Sequence, residues 1–306
     1  MRLDRIITLR VARPLKKLGR ASSGSCIPVL MYHSISEDAQ PELAPYYKTA
    51  TSPAVFERQV RWLTENGYRS LKMGDALKAL KTGKKPEKLV VITFDDGFRD
   101  FHTSAFPILK RHGQTATMYL PTGFISNERR SFKGRECMTW KEIRELKGQG
   151  IEFGSHTVSH PKLYELSWQQ VEDELAVSKA QIERELEQGV DGFAYPFAFP
   201  QQDHDFTVKF TDLLRQSGYR NCATTIVGRV RPSDDDYSLK RLPVNNCDDL
   251  ALFAAKLEGA YDWFGTPQNW SKQIRRLLGK KPASRTGVST SPGRLASTTA
   301  VNDSIL

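Results

Sequence analysis

The chain has 306 residues, 39% of them hydrophobic and 26% charged, with a formal net charge of +10. That length accommodates one α/β barrel of about 200–250 residues plus extensions, and no stretch approaches the run of about 20 apolar residues that a membrane span requires. The positive charge sits at the ends: Arg2, Arg5, Arg10, Arg13, Lys16, Lys17 and Arg20 stand against Asp4, and residues 271–306 repeat that excess, so the body between them is slightly acidic. A basic groove for nucleic acid is therefore not expected.

Residues 1–22 form a basic arm. Asp4, Arg10 and Arg13 interrupt any apolar run long enough for a secretory leader, which points to a cytoplasmic protein. The arm reads either as disordered or as a basic amphipathic segment in peripheral contact with an anionic membrane. Ile27 to Tyr32 reads as a strand. Ser52-Pro53 caps a helix running to about Asn66, with Gly67 as its stop. Leu89 to Phe94 is a second strand, Thr103 to His112 a helix ended by Gly113, and Thr115 to Leu120 a third strand. Thr139-Trp140-Lys141-Glu142 is a capping box for a helix over Trp140 to Lys147. Ile151 to Phe153 is a strand, and Ser167 caps a long helix to about Glu187. Strands follow at Gly192 to Tyr195, Asn221 to Thr225 and Leu239 to Val244. Strand then helix, repeated, predicts a parallel sheet closed as a barrel, an α/β fold. After Lys281 the composition turns to Ser, Thr, Gly and Pro, so residues 271–306 are expected to be a disordered tail and residues 23–270 the catalytic domain. Cys26, Cys137, Cys222 and Cys247 form no C-x-x-C pair and are expected to be free thiols.

The chemistry concentrates in two segments. Ile92-Thr93-Phe94-Asp95-Asp96-Gly97 ends a buried strand with two adjacent carboxylates, a costly arrangement unless a cation or a reaction uses it. His156 and His160, four apart in Gly154-Ser155-His156-Thr157-Val158-Ser159-His160, offer two imidazoles on one face. One carboxylate and two imidazoles suit one divalent ion, zinc first and cobalt, iron or manganese otherwise. Three protein ligands leave positions open for water and substrate. The second Asp is then free to remove a proton. Read singly, an Asp-Asp-Gly is a turn and a His pair a solvated helix face; their coincidence after strand-like runs favours the metal.

These motifs, with Phe106-Pro107-Ile108-Leu109, Met138-Thr139-Trp140 and Phe193-Ala194-Tyr195-Pro196-Phe197, resemble those of the polysaccharide deacetylases, carbohydrate esterase family four, from about Ile27 to about Leu257. The resemblance implies a distorted (β/α)7 barrel forming a single catalytic domain, with Asp95 as general base. It makes Asp96, His156 and His160 the metal ligands and the Phe197 N–H an oxyanion donor. Two positions depart from the common pattern: Ala194 stands where many members have a base-orienting arginine, and Leu242-Pro243-Val244 where they have a Leu-x-His acid. An exopolysaccharide-type branch is the better match, because Tyr32-His33 in Pro28-Val29-Leu30-Met31-Tyr32-His33 resembles its N-terminal Tyr-His pair. His33 is then the acid or an oxyanion stabiliser, the alternative being a strand-end histidine bonded to a backbone carbonyl. Arg241 either replaces the missing arginine beside Asp95 or is a surface strand arginine. It is grouped with Tyr195, Pro196 and Trp140 as the residues expected to meet the sugar. The implied activity is removal of N-acetyl groups from N-acetylhexosamine units of a bacterial-type polysaccharide or its precursor, by a monomer. A non-sugar amidohydrolase, with a small closed pocket, and a glycan-binding pseudoenzyme are the alternatives.

Overall fold

The protein is described here from a computed structural model that covers residues 2–18, 26–82 and 88–265. The expectation of a disordered tail at 271–306 lies outside these residues. The strands are β1 (Val29–Tyr32), β2 (Arg69–Leu71), β3 (Leu89–Phe94), β4 (Thr117–Leu120), β5 (Glu152–Ser155), β6 (Gly192–Ala194), β7 (Asn221–Val227) and β8 (Leu239–Pro243). The helices around them are α1 (Pro53–Glu65), α2 (Met73–Lys81), α3 (Phe106–Arg111), α4 (Trp140–Lys147), α5 (Trp168–Leu186), α6 (His204–Gln216) and α7 (Leu250–Leu257).

Seven strands run β1-β8-β7-β6-β5-β4-β3, all parallel, and close where β3 pairs back onto β1, with Val29 opposite Val91 and Tyr32 opposite Phe94. The distortion lies at β3, one edge of which is shared: β2 pairs with Leu89–Val91, and β4 pairs with Thr93 and Phe94. Every residue of β1, β3 and β4 is buried, because helices cover the outside and side chains fill the inside.

The expected strands and the helices α1, α3, α4 and α5 are present. Ser52, Thr139 and Ser167 accept from the backbone of the first turn, and the last two complete capping boxes. Three helices were not anticipated. Asp203 and Asp249 cap α6 and α7, a signal present in the sequence, whereas α2 begins at Lys72 without a side-chain cap.

The described part of the N-terminal arm is helical, which agrees with the amphipathic reading and not with the disordered one, and runs from Leu3 through a π-helical turn at Thr8–Ala12 to Leu18. It lies along α7. Arg2 bonds the Cys247 carbonyl and Asp248, Asp4 accepts from the Tyr261 hydroxyl, Arg5 pairs with Asp249 and Arg13 with Glu258. The Trp263 indole N–H donates to Thr8, which is wholly buried, while Phe264 packs on Tyr261 and Tyr46. Trp263 thus anchors the arm. At the centre of this seam Asp248 receives both Arg2 at 2.6 Å and the buried Lys256 ammonium at 2.6 Å.

Desolvation of Lys256 holds its pKa below the usual lysine value, and Asp248 is what makes its burial tolerable. Asp248→Ala is expected to destabilise the fold by about 3–5 kcal/mol, since it strands a buried ammonium. Arg5→Ala, removing a half-exposed pair, is expected to cost under about 1 kcal/mol. Urea unfolding midpoints and slopes measure both.

Candidate metal centre and active site

Asp95 and Asp96 leave the end of β3 and diverge because Asp96 takes a left-handed φ of 72° and Gly97 one of 63°. The turn aims Asp96 at His156 and His160, which follow β5. Asp96 Oδ1 lies 3.7 Å from His156 Nε2 and 3.3 Å from His160 Nε2. All three residues are buried, and their ligand atoms lie within 4.8 Å of one another. Burial holds both imidazoles below their ordinary pKa, so they are neutral. His156 Nδ1 lies 2.8 Å from the Ala194 carbonyl, which requires Nδ1 to donate and leaves the Nε2 lone pair facing Asp96. Asp96 Oδ1 is buried with no hydrogen-bond partner. An orphaned carboxylate oxygen facing the His156 lone pair and the His160 ring nitrogen, whose own Nδ1 is buried without a partner, fits a divalent cation.

The other carboxylate, Asp95, turns to Arg241. The guanidinium donates to Asp95 Oδ1 at 2.7 Å and to the Thr224 carbonyl at 2.9 Å. Burial pushes the Asp95 carboxyl up, but the adjacent Arg241 charge, together with His156 and His33, holds it below the usual carboxylate range. Arg241 is itself wholly buried, over the Tyr119 ring at 5.9 Å from its centroid. Tyr119 can lie there because Gly154 has no Cβ; one would stand 2.6 Å from the ring. The sequence grouped Arg241 with the sugar-binding residues. It lies instead wholly buried beside Asp95, off the cavity wall.

A cavity of about 430 Å³ opens above these groups, a size typical of small-ligand sites. Asp95, Asp96, His156, His160, His33, Tyr195 and Phe197 all line it. Its rim extends to the exposed Asp38 and Glu42 and the half-buried Lys48. His33 is only partly buried and its imidazole donates to no backbone carbonyl among the described residues; desolvation lowers its pKa against the pull of Asp96 and Asp95. Phe197 adopts φ 58°, its ring lies on His160 at 4.7 Å, and its N–H has no acceptor among the described residues. Two expected sugar contacts are elsewhere. Trp140 is 3% exposed within the core beneath α4, and Pro196 is not on the cavity wall; it precedes the turn at Phe197.

Two wall elements were not foreseen. The segment Gln40–Thr49 supplies Tyr46 and Tyr47, and the antiparallel hairpin Ser131–Glu136 supplies Lys133 and Arg135. Arg135 ties them together through Asp38 at 2.5 Å. Lys133 donates to Asp96 Oδ2 at 3.2 Å and lies over the Phe132 and Phe197 rings. Seven non-glycine residues have positive φ among those described, and five of them, Gln40, Asp96, Lys133, His160 and Phe197, line this cavity. Each costs on the order of 1 kcal/mol or more. Such strain clusters where geometry serves function.

The polysaccharide deacetylase family profile matches residues 82–222. A putative polysaccharide deacetylase of Bacillus subtilis, YxkH, is 31% identical over 233 residues, 76% of each chain. The chain belongs to the polysaccharide deacetylase family. Poly-β-1,6-N-acetyl-D-glucosamine N-deacetylase of Staphylococcus aureus is 25% identical over 206 residues, 64% of this chain and 68% of that protein. The Streptococcus pyogenes deacetylase PplD, solved with acetate, superposes with a TM-score of 0.66 at 27% identity, covering 77% of this chain and 99% of that one. The fold also matches IcaB from Ammonifex degensii, at a TM-score of 0.61 and 23% identity over 78% of this chain and 98% of that one. This polysaccharide deacetylase is thus a hydrolase with the exopolysaccharide-type relatives its Tyr32-His33 pair suggested.

Since Lys133 and a metal ion would both draw on the Asp96 charge, Lys133→Met is expected to tighten divalent-cation binding by about ten-fold, or ~1.4 kcal/mol. His156→Ala is expected to abolish it. Competition against a chromophoric chelator measures both, and weaker binding in Lys133→Met would show that the ammonium chiefly positions the carboxylate.

Proposed function

We propose that this deacetylase removes the acetyl group from N-acetylhexosamine units of a bacterial-type glycan by metal-dependent hydrolysis. The observation that carries this reading is the division of labour between adjacent carboxylates, Asp95 paired with buried Arg241 and Asp96 facing two neutral imidazoles. A pure glycan-binding module has no use for an ionised carboxylate held beside the ligand triad. The open rim of the cavity favours a glycan over a small linear amide, and the names of the staphylococcal relatives support a β-linked N-acetylglucosamine polymer as the substrate class.

A divalent cation, zinc first among the candidates, would be held by Asp96, His156 and His160 and would supply Lewis acidity toward water and the acetamide carbonyl. Asp95, ionised by Arg241, accepts a proton from the attacking water. The Phe197 N–H donates to the oxygen on which negative charge develops. His33, on the same wall, donates to the departing amine nitrogen. Water and the amide become acetate and a free amino sugar, with the proton taken at Asp95 balancing that delivered to nitrogen. Phe197 presents aromatic surface to the sugar ring, whereas the Tyr195 ring is 1% exposed and packs against Phe199, Phe206 and Phe210.

Asp95→Asn is expected to retain metal while kcat falls by about two to four orders of magnitude. Arg241→Met, acting through the base, is expected to lower kcat by about 10–100-fold with KM little changed. Acetate release from poly-N-acetylglucosamine oligomers, with metal content measured in parallel, tests both. Near-normal kcat in Asp95→Asn would overturn the assignment.

The role of His33 separates on substrate chemistry. His33→Ala is expected to leave metal content unchanged and to slow amide hydrolysis far more than hydrolysis of an activated acetyl ester, whose leaving group needs little protonation. Equal losses on the two substrates would assign His33 to the oxyanion.

A further inference from the structure

The helix at residues 3–18 has two unlike faces. Its inner face is spent: Arg2, Asp4, Arg5, Thr8 and Arg13 all bond the body. Its outer face carries Leu3, Val11, Leu15 and Leu18, exposed by 66%, 51%, 62% and 81%. Only eight large hydrophobic residues are exposed among those described, and these are half of them. Two more stand by the helix start. Leu250 follows Asp249, the partner of Arg5, and Tyr47 follows Tyr46, which packs on Phe264.

Cations flank the apolar strip. Arg10 and Lys17 are exposed and pair with no acidic group among the described residues. Together with Arg20, they make this end of the chain strongly basic while the body is slightly acidic. We propose that this face docks the protein on an anionic lipid bilayer. Exposed apolar side chains beside unpaired cations are the pattern of a helix lying in the headgroup region, apolar side inward and cations at the phosphates. A second copy fits less well, since like faces would bring Arg10 and Lys17 of both chains together. The helix begins where Arg2 bonds the Cys247 carbonyl and Asp248, beside the tyrosines of the cavity wall. Docking therefore holds the cavity mouth near the bilayer surface, and the docking does not depend on the deacetylase reading.

Flotation of the full-length protein with vesicles, read without turnover, tests this. Binding is expected on an equal mixture of phosphatidylglycerol and phosphatidylcholine and at least about ten-fold weaker on phosphatidylcholine alone. Leu15→Asn with Leu18→Asn, and separately Arg10→Glu with Lys17→Glu, are each expected to weaken binding by about ten-fold or more. All four side chains point to solvent, and unchanged unfolding midpoints would confirm intact folds. Undiminished binding by both double variants would overturn the proposal and assign the contact to the basic residues beyond 270. Binding indifferent to phosphatidylglycerol would also overturn it, as would a dimer in light scattering that Leu15→Asn with Leu18→Asn dissociates.

Discussion

Barrel closure between β1 and β3 is the constraint on which the rest of the site depends. The four-residue parallel register from Val29–Val91 to Tyr32–Phe94 brings together segments some sixty residues apart. At its upper end the Asp95 N–H donates to the Tyr32 carbonyl at 3.1 Å, so the residue after Tyr32, His33, emerges beside the carboxylate pair. On the other edge of β1 the Val244 N–H donates to the Met31 carbonyl at 3.0 Å, and β8 delivers Arg241 to Asp95. One strand therefore fixes His33, Asp95 and Arg241 relative to one another. Its cost is modest, because every residue in both strands is apolar or a hydrogen-bonding threonine and all are buried.

Charge is arranged above this frame so that each buried group has an opposite. Asp95 has Arg241, Asp96 has Lys133 on one oxygen and an open position on the other, and both histidines stay neutral. Burial by itself favours the protonated form of Asp95, and the Arg241 charge opposes it. Backbone strain complements this charge order. Left-handed φ at Asp96, His160 and Phe197 turns their side chains and N–H groups inward at strand ends where an ordinary turn would carry them away.

The same pairing logic attaches the N-terminal helix. Asp248, shared between Arg2 and Lys256, ties the helix start to the segment after β8. Tyr46, packed on Phe264, links that seam to the cavity wall. The catalytic face and the helix are therefore parts of one contiguous structure, and displacement of the helix would disturb Tyr46 and its neighbour Tyr47.

Much of this was legible in the sequence, for local physical reasons. Apolar runs of strand length, capping boxes at Thr139 and Ser167, and alternation of strand and helix determined an α/β barrel. The adjacency of Asp95 and Asp96 and the closeness in sequence of His156 and His160 pointed to the candidate ligand set, but the two histidines do not share a helical face: they meet through left-handed backbone at Thr157 and His160 in the loop after β5. Relations between distant segments were decided by the tertiary structure alone. Nothing in Leu239-Lys240-Arg241 says that the arginine points inward; that follows from the register of β8 beside β1 and from the space left at Gly154 for Tyr119. Trp140 reads as a sugar platform until the packing of α4 buries it. Lys133 lies in a hairpin whose sequence carries no motif, and only the folding of that hairpin over the barrel mouth puts its ammonium on Asp96. One reading of the arm is disorder, because its apolar residues are few and interrupted, and its helix forms because Asp248, Tyr261 and Trp263, some 250 residues away, meet its polar face. Local spacing determines which groups can act together within a turn, whereas pairing across the barrel decides which partners each of them meets.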